Sequence, residues 1–213
     1  RETYTVDVFA EDLAALVDEL DLDRPVVCGL SLGGAIAQVY AARHPEAVSG
    51  LVLAGTFTPE ILSRSEWVQR VGMLRAAVPL VRLFGYERVE RGLVRIHELL
   101  HGEAVSGEYD LVERLRAEGP PMETDEFAKV IRALTAFDQE SVDYAAIDVP
   151  TLVLYGEHEP GFVQRQAAHL GAQIRDATVE SVPGAGHASN LDNPEFFSAA
   201  VRAFVADRAS VTA

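Results

Sequence analysis

An α/β fold, with a mostly parallel sheet covered by helices and one helical insertion, is what this sequence predicts. Three observations carry that reading. Short β-type runs alternate with segments of helical periodicity, the order that a parallel sheet covered on both faces requires. The runs "PVVCGL", "VSGLVLAGT" and "PTLVLYG" are apolar without alternation, as strands buried on both faces are. The stretch 57–146 carries helical periodicity and no clear strand, so it reads as an insertion.

Residues 5–20 read as an amphipathic helix, with Val8, Leu13, Leu16, Val17 and Leu20 near one face and acids opposite. Asp23-Arg24-Pro25 is a turn, and the first strand follows, expected to be buried on both faces. A helix runs from Ser31 to about Arg43, where His44-Pro45 stops it. Residues 48–56 form the second strand. In the insertion, four or five short helices are expected, broken at Pro79, Gly85, Gly102, Gly107 and 119–121. The third strand covers 150–156, and a helix spans about 161–171. "ATVESVPG" alternates and so belongs nearer a sheet edge. The last helix runs from Pro194 to about Arg208, with proline suited to its first turn.

The 213 residues suffice for one domain with an insertion, and 48% are hydrophobic, enough for a core. The formal charge is −15, from 33 acids and 18 bases, of which only Lys129 is a lysine. Such a surface repels nucleic acid and anionic membranes, and neither is an expected partner. It serves solubility, or adaptation to high salt. No apolar run approaches the roughly 20 residues of a membrane span, and no leader peptide opens the chain. The single cysteine, Cys28, fits a reducing cytoplasm.

The first strand ends in "GLSLGG". A serine at the carboxyl end of a parallel strand, on a tight turn into a helix, stands where open α/β sheets bind ligands. Gly29 and Gly33 flank Ser31 at two residues on either side, giving the G-x-S-x-G elbow of a nucleophile. The N-terminus of the following helix favours a developing oxyanion, and the Leu32 N–H is its first expected donor. A hydroxyl needs a base, most often histidine. His187, in "VPGAGHASNLDNPEFF", follows the fourth strand and so shares the carboxyl edge with Ser31. His44 and His169 lie near helix C-termini, where a cation is stabilised regardless. His97 and His101 are four apart on an insertion helix, without a third metal ligand. His158 reads as a loop residue. The orienting carboxylate is expected at Glu159, just past the third strand, with Glu157 as the fallback.

Together, "GLSLGG", "HPEAVSGLVLAGT", "VPTLVLYGEHE" and "VPGAGHASNLDNPEFF" resemble the α/β-hydrolase superfamily over essentially the whole chain. The resemblance implies a hydrolase core at 1–56 and 147–213, a helical cap at 57–146, and a Ser31, Glu159, His187 triad working through an acyl-enzyme, with no cofactor and no metal. It implies a small, mostly apolar ester or lactone as substrate. Leu30, Trp67 and Phe137 are the expected substrate contacts, with Leu32 at the entrance. "CGLSLGG" is similar to the 3-oxoadipate enol-lactonase group. Carbon–carbon bond hydrolases and haloperoxidase-like members share the triad and stay open, as do a non-catalytic binding protein and an inactive fragment. Two departures stand out. The family usually carries aspartate where Glu159 stands. The pattern also begins late, with about four strands and a second oxyanion donor expected before residue 1, roughly 65 residues by analogy. The first strand would then be an exposed edge, covered by that segment or by a dimer mate.

Overall fold

In the computed structural model, which describes residues 3–101, 123–139 and 142–209 with 111, 114, 115, 117 and 118, four strands form one parallel sheet. They are β1 (Val26–Leu30), β2 (Gly50–Ala54), β3 (Thr151–Gly156) and β4 (Ala177–Val182), in the order β1-β2-β3-β4. Val26 pairs with Gly50, Leu51 with Thr151, and Thr151 with Ala177, so all four strands point their carboxyl ends the same way.

Side chains along a strand alternate between faces, and the sheet separates two cores accordingly. Leu51, Leu53 and Val153 enter one core with α1 (Val6–Glu19), α2 (Leu32–Arg43) and α7 (Gly161–Gln173), through Val6, Ala35, Tyr40, Ala167 and Leu170. Val52, Ala54, Leu152, Leu154 and Val182 enter the other, covered by Phe196, Phe197 and Phe204 of the C-terminal helix, Pro194–Ala209. This is why the β2 run and the Leu152–Leu154 centre of β3 are apolar without alternation. β1 departs from the expectation, since Cys28 is exposed. The strand lies at the sheet edge. α2 closes over its Val27 face, while its Val26 and Leu30 face is covered only in part.

Helix α1 also differs in detail. Its buried stripe is Val6, Ala10 and Val17, with Leu13 and Ala14 partly covered. These positions follow the i, i+4, i+7, i+8, i+11 spacing of one helical face. Leu16, expected inside, is 53% exposed because it falls off that face, and Leu20, 56% exposed, lies past the end of α1 as its C-cap.

Between β2 and β3 the described chain is helical. α3 (Arg64–Trp67) runs through a π turn at Val68–Gly72 into α4 (Met73–Phe84). Then come α5 (Tyr86–His101) and α6 (Thr124–Ala136). Pro79 does not break the chain as expected; α4 continues through it. The ring removes one backbone bond, while burial of Ala77 and Val81 on either side holds the helix to its neighbours. Gly85, at φ 82°, does end α4, in the left-handed region that suits glycine. The breaks expected at Gly102, Gly107 and 119–121 lie outside the described residues, as do the side chains of His97 and His101.

A buried polar group ties this helical stretch to the sheet layer. Glu66, fully buried, accepts from the Leu62 N–H (3.0 Å), from Arg70 (3.2 Å) and from Gln166 of α7. Gln166 in turn accepts from the N–H and hydroxyl of Thr58, both at 2.9 Å. The Arg70 guanidinium lies over the Phe57 ring at 4.1 Å. Burial pulls its pKa below the ordinary value, against the pull of Glu66.

Candidate active site

Ser31 follows β1 directly and caps α2. Its backbone sits at φ 54°, ψ −117°, a conformation that costs a non-glycine residue about 1–3 kcal/mol. The turn is held from β2: the Ser31 N–H donates to Ala54 O (2.9 Å), and the Thr56 hydroxyl donates to Ser31 O (2.8 Å). A Cβ on Gly29 would overlap the Gly33 carbonyl, so the turn closes only with glycine there. Gly34 is likewise obligatory, since a Cβ would come 2.5 Å from the Thr56 Cβ. Gly33 differs from the expectation: nothing lies within 4 Å of where its Cβ would be. The close approach is made to its carbonyl, not to its α-carbon. No side chain caps the N-terminus of α2. Its first N–H groups therefore face outward beside the serine.

Glu159 is buried, its side chain fully, just past the end of β3. Oε2 accepts from the Gly156 N–H at 3.0 Å, and Oε1 lies 2.6 Å from Nδ1 of His187. A carboxylate only accepts, so Nδ1 carries the proton and Nε2 is left as the free base. The His187 loop passes over β3 where a Cβ on Gly156 would overlap the Gly186 carbonyl. Burial pulls the imidazole pKa down. The hydrogen bond and charge of Glu159, joined by the charge of Asp192, outweigh it and hold the value above the ordinary one. Half of the ring (49%) still faces solvent.

The structure brings Glu159 and His187 into contact and places Ser31 at the end of β1, on the far side of β2. Gly55, which follows the strand residue bonded to Ser31, has Glu159 Oε1 and His187 Nδ1 within 3.1 and 3.4 Å of its would-be Cβ. Its φ of 50° and missing side chain leave room for that pair. Among the described residues, no hydrogen bond joins the Ser31 hydroxyl to the imidazole; such bonds are often long in unliganded enzymes.

Glu157 has a different role, accepting from the Gly184 N–H at 2.7 Å and pinning the His187 loop. His158 is exposed. His169 meets Glu60 at 3.0 Å, and His44 packs against Tyr40. Leu30 and Leu32, on either side of Ser31, pack partly into the two separate cores. Trp67 is 45% exposed at the end of α3. Phe137 is fully buried, packing edge-on against Phe57 inside the core. Sequence reading missed Asp192, whose carboxylate accepts from the Gly186 N–H at 2.7 Å. Its only signal was an acid five residues past a candidate base.

A strained serine at the end of β1 and a histidine–carboxylate pair past the ends of β3 and β4 are features of one fold class, and residues 1–194 match the family model for the alpha/beta hydrolase fold. The chain belongs to that family. It is 26% identical over 205 residues to 3-oxoadipate enol-lactonase 2 of Acinetobacter baylyi, covering 94% of this chain and 70% of that protein. It is 27% identical over 211 residues to a pimeloyl-[acyl-carrier protein] methyl ester esterase of Neisseria meningitidis, covering 91% and 75%. The structure of MenH from S. aureus superposes with a TM-score of 0.77 at 22% identity, over 97% of this chain and 77% of that one. Among the described residues, no helix is long and apolar enough to cross a membrane.

Proposed function

We propose that the protein is a serine hydrolase that cleaves a small, mostly apolar carboxylic ester or lactone. The observation that carries this is the 2.6 Å contact between His187 Nδ1 and the buried Glu159, on the same carboxyl edge of the sheet as a serine in a strained turn. In this mechanism Nε2 of His187 takes the Ser31 proton and the oxygen attacks the carbonyl carbon. Glu159 holds the tautomer and stabilises the imidazolium. The Leu32 N–H at the start of α2 receives the oxyanion. Collapse expels the alcohol, protonated by His187, and water repeats the attack on the acyl-enzyme. Nothing in this cycle calls for a metal or cofactor.

Leu30 and Leu32 give the serine apolar flanks, and the described helices between β2 and β3 would roof the site as a cap, with exposed Trp67 on α3. The names of the enol-lactonase and methyl ester esterase relatives agree with an ester or lactone carbonyl. The acid-rich chain with one cysteine fits a reducing cytoplasm. The test is p-nitrophenyl ester turnover across acetate to decanoate, with fluorophosphonate labelling, on wild type and Ser31→Ala. Labelling and turnover are expected in the wild type, fastest with short acyl chains, and both should vanish in S31A. Equal signal from the two proteins would refute the serine mechanism.

A further inference from the structure

Three carboxylates hold the His187 segment, Glu157 at Gly184, Asp192 at Gly186 and Glu159 at the imidazole, and only Glu159 bonds to the ring. Chain leaving β4 turns at Gly184, at φ 67°, and passes over Gly156 to His187. It then makes a single helical turn, α8 (Ser189–Asp192), closed by bonds from the Leu191 and Asp192 N–H groups to Ala188 O at 2.7 and 3.0 Å. That turn swings Asp192 back beneath the peptide before His187, where Oδ2 accepts from the Gly186 N–H at 2.7 Å. Asn193 completes the closure. Its amide donates to Pro183 O at 3.0 Å while its Oδ1 accepts from the Phe196 N–H at the start of the C-terminal helix.

We infer that Asp192 is a positioning residue for the proposed hydrolysis: by binding the Gly186 N–H it fixes the peptide that carries His187 and aims the ring from Glu159 toward Ser31. This rests on the serine-hydrolase reading of the site. A one-residue backbone staple suits the task because the ring is half exposed and, among the described residues, hydrogen-bonds to one side chain, Glu159. Glu159 alone fixes Nδ1 but leaves the ring free to swing about that contact. A peptide held at Gly186 removes the swing, and a displacement of about 1 Å at a catalytic group costs on the order of 100-fold in rate. The charges acting on the imidazole are those of Glu159, past β3, and Asp192, on α8; both favour the imidazolium.

Two variants separate bond from charge. Asp192→Asn keeps an oxygen that can accept from Gly186 and loses the charge; Asp192→Ala loses both. In D192A, kcat for a p-nitrophenyl ester is expected to fall by about 10- to 100-fold with KM within about twofold. D192N should keep kcat within about threefold. Hydrogen exchange at the Gly186 amide should quicken at least tenfold in D192A and little in D192N. His187, followed by NMR titration, should titrate lower in D192N. D192A matching wild type in kcat and in Gly186 exchange overturns the inference, as does D192N losing as much kcat as D192A. Should D192A fail to fold, D192N decides: unchanged exchange with a lowered His187 titration supports the inference, and quickened exchange overturns it. Exchange and titration need no turnover, so an inactive wild type would sink the hydrolase reading while leaving this one measurable.

Discussion

Ser31 is the residue where cost and purpose meet. Its positive φ is unfavourable for a side chain, and β2 pays for it through the Ala54 carbonyl and the Thr56 hydroxyl. The glycines around it are unequal. Gly29→Ala is expected to destabilise by about 3 kcal/mol through the clash with the Gly33 carbonyl. Gly33→Ala should gain about 0.5–1 kcal/mol, since it lies in the open first turn of α2. Urea melts of the two variants check this, and equal effects would contradict it. His187 makes a second residue-scale prediction. Its pKa is raised, and the base must be neutral, so kcat/KM should rise with pH about a midpoint above the ordinary histidine value of about 6.5. Glu159→Gln should move that midpoint down and cut kcat by roughly 10⁴-fold, through loss of the tautomer control. The stability sign runs the other way. A histidine whose folded pKa is raised stabilises the fold fully below its unfolded value, and that contribution is lost as the pH climbs through the folded one. A wild-type acid limb centred below 6.5 would contradict the electrostatics.

At the scale of elements, strand ends do the positioning. β1 delivers Ser31, β2 leaves space at Gly55, β3 delivers Glu159, and β4 leads to His187. Much of this was legible in sequence, because a parallel sheet puts every β-to-α turn on one edge. The choice of Glu159 over Glu157 was not. It depends on which carboxylate reaches the Gly156 N–H and which reaches Gly184, a matter of three-dimensional loop paths. Leu16 and Leu20 were misplaced because Ala10 and Ala14 are small and easily passed over in marking a helical stripe. The buried Glu66–Arg70 pair was also invisible, since nothing in an i, i+4 spacing distinguishes a surface pair from a buried one. Removing Glu66 leaves an uncompensated buried cation. Glu66→Ala should cost about 3–5 kcal/mol, and adding Arg70→Met should restore part of it. A single mutant as stable as wild type by thermal melting would show that the pair carries no such weight.

For the whole molecule, the parallel sheet puts groups 156 residues apart in sequence on one carboxyl edge, because Ser31 follows β1 and His187 follows β4. Architecture followed from the apolar runs and their order, while the exposed Cys28 side of β1 followed only from seeing where the covering helices stop. The chain spans 70% of the enol-lactonase relative. The account stands on Ser31 and His187 acting as one unit. The direct measurement is kcat/KM for p-nitrophenyl acetate in S31A, H187A and the double variant. Each single change should cost on the order of 10⁴-fold or more, with the double no worse than either. Losses that multiply in the double variant, or an H187A protein as fast as wild type, would show that the two residues do not share one task.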